Sequence, residues 1–366
     1  MPANRLKQIL DLSRSSWDRD GTRPGVRENF AKVLDCGTGA LGYEVYASAN
    51  EEKYWYHRCK SRFCPSCGYR ATLLWLEQQE ADIPEIPYTG LVFTMPRELW
   101  SIFRDNRHLL HDLPTLGAAV IQSWIRMKYG LRVLVIVVQH TFGGDLKFYP
   151  HLHVLVSAGG LSELEGRWIP RIKLNKYALM KMWRYIVISH LRRALKSGLV
   201  DSESSAIELS RTLTNAYEEH PTWIVFLDRI VSKSHFLRYS ARYVRRPPIA
   251  SWRLLKVIGK EVIFVAKDTR RKALVSTQAQ IVDFVRVISQ HVPDKYKHSI
   301  RYFGLLTPRA KGKIKDGIWI TIGQQRRPRP PRLRCRDSLM KAFAFDPLID
   351  SQGQEMEWVR RGHAMK

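Results

Sequence analysis

Residues 131–157, LRVLVIVVQHTFGGDLKFYPHLHVLVS, decide the reading of the fold. Two apolar, β-branched runs, 131–142 and 148–157, flank a Gly143-Gly144-Asp145-Leu146 connection whose glycines can supply positive φ. The pattern predicts an antiparallel hairpin with both strands buried. His151 and His153 are two apart, and on a strand that spacing puts both imidazoles on one face, where they can converge on a divalent cation. Two ligands do not hold an ion. A third can come from the neighbouring strand, where Gln139 or His140 lies just before the turn. With open positions left for water or phosphate oxygens, Mg or Mn in a phosphoryl-transfer site suits this donor set. Taken alone, the same pair also suits two ordinary core or surface histidines.

Outward from the hairpin, the segment LVFTM at 91–95 reads as a strand, and 116–129 as a helix with Trp124 and Met127 at helical spacing. Downstream, 173–198 is helical, with Leu179, Met182, Trp183, Ile186 and Leu191 on one face. Residues 234–244 form a helix that the prolines at 247 and 248 end. A second hairpin turns at Gly259 and Lys260, and Thr277 to His291 reads as a helix opened by a Ser or Thr cap. Upstream, short helices cover Leu6–Leu12 and Tyr69–Ala81, and PEIP at 84–87 reads as a linker. The tail 326–336, RRPRPPRLRCR, reads as extended, with cations suited to phosphate contacts. The fold class is therefore α+β. The expected units are a zinc-binding segment over 1–87, a catalytic domain over 88–250 with a helical insertion near 163–233, a hairpin and helix region over 251–325, and a basic tail over 326–366.

Sixty Lys and Arg against 34 Asp and Glu give a net charge of +26 in 366 residues, which predicts a polyanionic partner, nucleic acid first. A hydrophobic content of 45% excludes disorder throughout. The longest apolar run, Val133–Val138, is strand-sized, so a membrane partner is not expected. The charged N-terminus shows no secretory signal, and a cytoplasmic address is expected.

Four of the five cysteines lie within 36–67. Cys59, Cys64 and Cys67 stand in HRCKSRFCPSCG and Cys36 in DCGTG. A CPxCG turn aims two thiolates at one ion, and four would close a tetrahedral structural zinc site. His57 can replace Cys36 or Cys59 as a ligand, since spacing does not separate them. Cys335, in the tail, reads as a free thiol.

Tyr239 and Tyr243 in LRYSARYVRR are four apart, so on a helix their hydroxyls share a face. Arg238, Arg242, Arg245 and Arg246 surround them. A phenol becomes a nucleophile where positive charge or a metal stabilises the phenolate, and a phosphodiester is the substrate that also uses those arginines. The same residues also suit an aromatic pair packed on a core with solvated arginines outside.

Together these motifs resemble the two-tyrosine HUH transposases of rolling-circle insertion sequences, the insertion-sequence-ninety-one family above all. CGTGALGYEVY (36–46) and HRCKSRFCPSCGYRAT (57–72) resemble its zinc-binding domain, and LVFTMPREL (91–99) its first catalytic strand. HTFGGDLKFYPHLHVLVSAGGL (140–161) resembles its HUH segment, YSARY (239–243) its tyrosine motif and RYFGLLTPRAKGK (301–313) its C-terminal region. The resemblance implies an antiparallel sheet with the histidine strand central and the tyrosine helix beside it. It implies metal ligation by His151, His153 and His140, and Tyr239 and Tyr243 as nucleophiles on single-stranded DNA, forming a 5′-phosphotyrosine. Two stretches depart from the family pattern. Many relatives carry CxxC where this chain has Ser48 and Glu51, and the family's DPLxCPxCG reads DPLIDSQGQ at 346–354, so no C-terminal zinc knuckle is expected. A replication initiator or relaxase would share the chemistry. A zinc-containing DNA-binding protein that has lost catalysis would share only the binding.

Overall fold

The computed structural model describes residues 4–218, 223–241, 244, 247–268, 271–307, 317–328, 331, 335–344 and 346–363. The first part of the chain contains α1 (Arg5–Leu12), α2 (Arg14–Trp17), α3 (Pro24–Asp35), β1 (Tyr43–Ala47), β2 (Glu52–Tyr56) and α4 (Pro65–Asp82). The middle follows with β3 (Tyr88–Phe93), α5 (Trp100–Asp105), α6 (Arg107–Tyr129), β4 (Leu131–Arg132), β5 (Leu134–Phe142) and β6 (Phe148–Ser157). Next come β7 (Gly160–Ser162), β8 (Trp168–Ile169), α7 (Lys176–Lys196), α8 (Ala206–Glu218), β9 (Val225–Leu227) and α9 (Lys233–Ser240). The last part has β10 (Leu254–Ile258), β11 (Glu261–Asp268), β12 (Ala273–Gln280), α10 (Ile281–Ser289), β13 (Ile300–Gly304), helices at Gly317–Thr321 and Cys335–Phe343, and β14 (Glu357–Gly362).

The central sheet has five antiparallel strands in the order β13-β5-β6-β3-β9, so the strand carrying His151 and His153 is its middle one. Alternation divides β6 between two cores. Leu152, Val154 and Val156 enter a core with Val135 and Val137 of β5 and with Ile121, Ile125, Trp183 and Leu191 of α6 and α7. Leu155 on the other face packs with Ile136, Val138, Trp75 of α4 and Phe236 and Leu237 of α9. Helices cover both faces, which explains why the 133–138 run is apolar without alternation.

Each layer is held by identifiable contacts. Asn175 caps α7, its side chain accepting from the N–H groups of Tyr177 and Ala178. Trp183 stacks on Phe93 with centroids 5.0 Å apart and donates its indole N–H to the Thr94 carbonyl. On the opposite face the buried Lys233 ammonium donates to the Glu80 carbonyl and lies 3.2 Å from the Glu80 carboxylate, which ties α9 to α4.

A separate core joins the first part of the chain to residues 254–288: Leu6, Ile9, Leu10, Phe30 and Phe63 pack with Leu254, Val262, Phe264, Phe284 and Ile288. A three-stranded sheet, β14-β1-β2, likewise unites residues 43–56 with 357–362. There the two departures from the family pattern meet. The Asp350 carboxylate accepts hydrogen bonds from Ser48 Oγ (2.8 Å), Asn50 Nδ2 (2.9 Å) and the N–H groups of Gln352 and Gln354, while Glu51 Oε1 accepts from the Ser351 N–H. These bonds, that from Asn50 foremost, hold the Asp350 carboxyl at about 2, below its ordinary value.

The structure corrects several expectations. In the β5–β6 connection neither Gly143 nor Gly144 has positive φ; Leu146 does, at 63°. Gly144 serves close approach instead: a Cβ there would lie 2.8 Å from Lys267 Cβ, and its carbonyl accepts from Lys267 N and Arg253 Nη2. The helix expected over 277–291 begins only at Ile281, with no side-chain cap, because 273–280 pairs in unbroken register with β11 from Asp268↔Ala273 to Glu261↔Gln280. The helix expected over 234–244 spans Lys233–Ser240. The extended tail expected over 326–336 gives way to a helix from Cys335. Of the C-terminal region, 300–304 forms the edge strand β13 of the central sheet, which the sequence pattern did not reveal.

Trp183→Ala should cost about 3–5 kcal/mol of stability, the usual range for emptying a fully buried aromatic site, read as a lower urea midpoint. Because the Asp350 carboxyl is depressed, the stability it lends is complete above the ordinary carboxylate range and is lost as pH falls through about 2. Asp350→Ala should therefore abolish that part of the acid dependence. It should also speed hydrogen exchange in β14 at neutral pH while leaving β5 and β6 protected.

Candidate metal centre and tyrosine helix

The β5–β6 register places His140 directly across from His151 and pairs Val138 with His153, so three imidazoles rise from one sheet face. One ring nitrogen from each lies within 4.8 Å of the other two, and the rings are 4.9–5.5 Å apart between centroids. All three are buried, 4–6% exposed. His151 Nδ1 donates to the Tyr149 carbonyl at 2.8 Å, a bond that places its proton on Nδ1 and leaves the Nε2 lone pair for an ion. Burial pushes the His151 pKa down to about 4, so the ring is neutral and ligand-competent at neutral pH. Gln139, the other candidate for third ligand, turns to the opposite face and donates to the Leu110 carbonyl. Three imidazole nitrogens with no carboxylate among them suit a divalent ion that keeps open positions for oxygen donors.

Tyr239 lies on α9, which packs on this same face through Phe236 and Leu237. Its ring is half-buried over Gly90 of β3, with Cε1 3.6 Å from the point a Gly90 Cβ would occupy. Gly90 pairs with Leu155, and the next residue of β3 on this face, Val92, pairs with His153. Tyr239, on α9, thus lies over β3, the strand next to the one that carries His151 and His153, on the same face of the sheet. Arg238 is exposed on the same helix. Tyr243, Arg242, Arg245 and Arg246 lie outside the described residues. The sequence reading missed Asp228, whose Oδ2 lies 3.0 Å from the same point above Gly90. It follows β9 inside the helical insertion, and no spacing marks it.

The four cysteines converge as a second site. Sγ separations are 3.7 Å for Cys36–Cys67, 3.7 Å for Cys59–Cys67 and 3.8 Å for Cys64–Cys36. A tetrahedron with metal–sulfur bonds of about 2.3 Å has edges of about 3.8 Å, so the donors fit zinc. The Cys59 N–H also points at Cys36 Sγ, at 3.4 Å. Pro65 at the first helical position and Cys64 just before it start α4 at the knuckle. His57 is engaged elsewhere: Nδ1 contacts the Leu41 carbonyl at 3.0 Å and Nε2 the Glu44 carboxylate at 3.3 Å. The group that could hold a metal is the four cysteines, and His57 is not part of it. Nothing is described of the Cys335 side chain. Purified protein should hold one zinc per chain by mass spectrometry. Cys67→Ser should lose it and lower the melting temperature, whereas His57→Gln should retain it.

Residues 8–95 match a family model described as "Transposase zinc-binding domain", and residues 135–313 match one described as "Putative transposase". The "Transposase for insertion sequence element IS801" of Pseudomonas savastanoi pv. phaseolicola is 33% identical over 313 residues, covering 82% of this chain and 75% of its own. The "Putative transposase y4qJ" of Sinorhizobium fredii (strain NBRC 101917 / NGR234) is 29% identical over 289 residues, covering 74% and 72%. No solved structure matches. The first match takes in all four zinc-site cysteines, and the second takes in the three histidines and Tyr239. With one residue in three shared across most of both chains, the protein belongs to the insertion-sequence-ninety-one family of transposases and carries that family's N-terminal zinc-binding domain.

Proposed function

We propose that this transposase nicks and rejoins single-stranded DNA through a 5′-phosphotyrosine, with Tyr239 and Tyr243 as nucleophiles and His140, His151 and His153 as the ligands of a catalytic Mg or Mn ion. The observation that carries this reading is the shared face: Tyr239 lies over Gly90 on the sheet surface from which the buried histidine triad rises. The divalent ion, when bound, withdraws charge from the scissile phosphate. The tyrosine oxygen attacks phosphorus and its proton passes to solvent. The P–O3′ bond breaks, and the 3′ oxygen leaves as a hydroxyl after taking up a proton. Attack by a 3′-hydroxyl on the phosphotyrosine reverses the step and regenerates the phenol, so the bond energy is conserved without ATP. Burial keeps the His151 imidazole neutral and ready to ligate, and the glycine at 90 leaves room for the phenol ring against the sheet.

Arg238 and the arginines at 242, 245 and 246 would hold flanking phosphates, and the net charge of +26 draws the strand in. The zinc-binding segment is structural in this reading. Among the described residues no helix is long and apolar enough to cross a membrane, and the reading places the reaction in the cytoplasm.

A labelled single-stranded oligonucleotide carrying the element's terminus should form a covalent adduct that survives denaturation. The Tyr239→Phe, Tyr243→Phe double substitution and EDTA should each abolish it. An adduct that persists in the double variant would remove the tyrosines from the mechanism. Salt-sensitive binding with no adduct under any metal would leave a DNA-binding protein without this chemistry.

A further inference from the structure

The triad's third ligand, His140, also forms part of the wall of a second feature. Beyond Val138 the edge strand β13 leaves β5: its last pairing is Ile300↔Val138, followed by a hydrogen bond from Gln139 N to the Ser299 carbonyl. The uncovered end of β5 opens into a pocket between the sheet, the zinc loop and residues 293–299. Its polar wall contains Arg62, Arg107, His111, His140, Lys297 and His298, and no Asp or Glu lines it among the described residues.

Arg107 donates to Asp294 and to the Gln290 and Val292 carbonyls, and His111 lies 2.7 Å from Asp294, so both build the wall. Lys297 and His298 are exposed, and Arg62 is half-buried. Arg62 is placed by the zinc site: it stands between Cys59 and Cys64, and its neighbour Phe63 is buried in the core that joins the first part of the chain to residues 254–288.

The pocket's position on the sheet gives its use. In strand order, Tyr239 lies over β3, the histidine pair on β6 and His140 on β5, with the pocket beyond. A strand whose scissile phosphate sits at the histidines with Tyr239 on one side continues into this pocket on the other. A cavity lined by two arginines and a lysine with no acid, sharing His140 with the histidine triad, matches the next backbone phosphate rather than a base. Sequence-independent capture through phosphates is what a nick at any flanking sequence requires.

We propose that this pocket seats the backbone phosphate next to the scissile one, on the side away from Tyr239, and that the zinc loop contributes Arg62 to it. The inference rests on the single-strand reading above and gives the structural zinc a second consequence, positioning a substrate-binding arginine beside the catalytic metal.

The test is fluorescence anisotropy of the full chain with a labelled single-stranded oligonucleotide across a salt series. Each lost phosphate contact should flatten the log–log salt dependence by about 0.7 for a single strand. Arg62→Ala and Lys297→Ala should each weaken binding and flatten the slope by that amount, with zinc content and melting temperature retained. Arg62→Lys should recover most of the slope, and Arg211→Ala, an exposed cation on α8 across the sheet, should leave it unchanged. Equal slopes for wild type, Arg62→Ala and Lys297→Ala would overturn the proposal, as would inorganic phosphate binding that depends on Arg62 while the oligonucleotide does not. Adduct formation is read separately. A wild-type chain with an Arg62-dependent slope but no adduct supports the pocket and removes the tyrosine chemistry, and an adduct with unchanged slopes does the reverse.

Discussion

The arrangement depends on the register of two neighbouring strands. With β5 and β6 paired so that His140 faces His151, three imidazoles from two strands meet on one side of the sheet. A slip of one residue would turn His140 to the opposite face, among the valines and leucines that pack on α6 and α7, because side chains alternate with period two. That slip is opposed from both faces. Val135, Val137, Leu152, Val154 and Val156 belong to one core, and Ile136, Val138 and Leu155 to the other. The pairing shifts only after His140, between it and Phe142, where the sheet opens toward the zinc loop. The histidine triad therefore sits at the point where the sheet gives way to a recess.

Around this sheet the chain closes on itself. The N-terminal helices and the zinc loop share a core with residues 254–292, and the last described strand completes the sheet begun by β1 and β2. The Asp350 cluster provides a link at that closure, with Ser48 and Asn50 from 300 residues away and two local N–H groups converging on one carboxylate. Hydrogen bonds to a charged acceptor are the stronger kind, and together these hold the turn that leads into β14. The cysteine site works at the other edge of the same region and fixes the loop that carries Arg62.

How much of this was legible depended on the range of each signal. The histidine strand, the hairpin, the cysteine knuckle and the long helix α7 are written locally, in period-two spacing, a CPxC turn and an apolar helical stripe, and their residues lie where those patterns put them. The placement of His140 beside His151 and His153 needed only the hairpin register to follow. The contacts that complete the site are non-local. Residues 300–304 become an edge strand because β5 offers them a partner more than 150 residues upstream. Residues 273–280 contain good helix formers, yet take strand geometry because β11 pairs with every one of them. Gly144 looked like a turn residue and proved to be a point of close approach for β11. Gly90, Asp228 and the Arg62 pocket carry no motif, since each matters only through what folds against it.

The proposed chemistry requires an ion held by His140, His151 and His153 on the face occupied by Tyr239. The most direct measurement is anomalous diffraction at the manganese edge from crystals of the protein soaked in Mn. The expected result is one peak within bonding distance of a nitrogen of each of the three imidazoles, with the Tyr239 hydroxyl on the same side of the sheet. Manganese bound elsewhere, or a Tyr239 hydroxyl separated from that peak by the sheet, would contradict it.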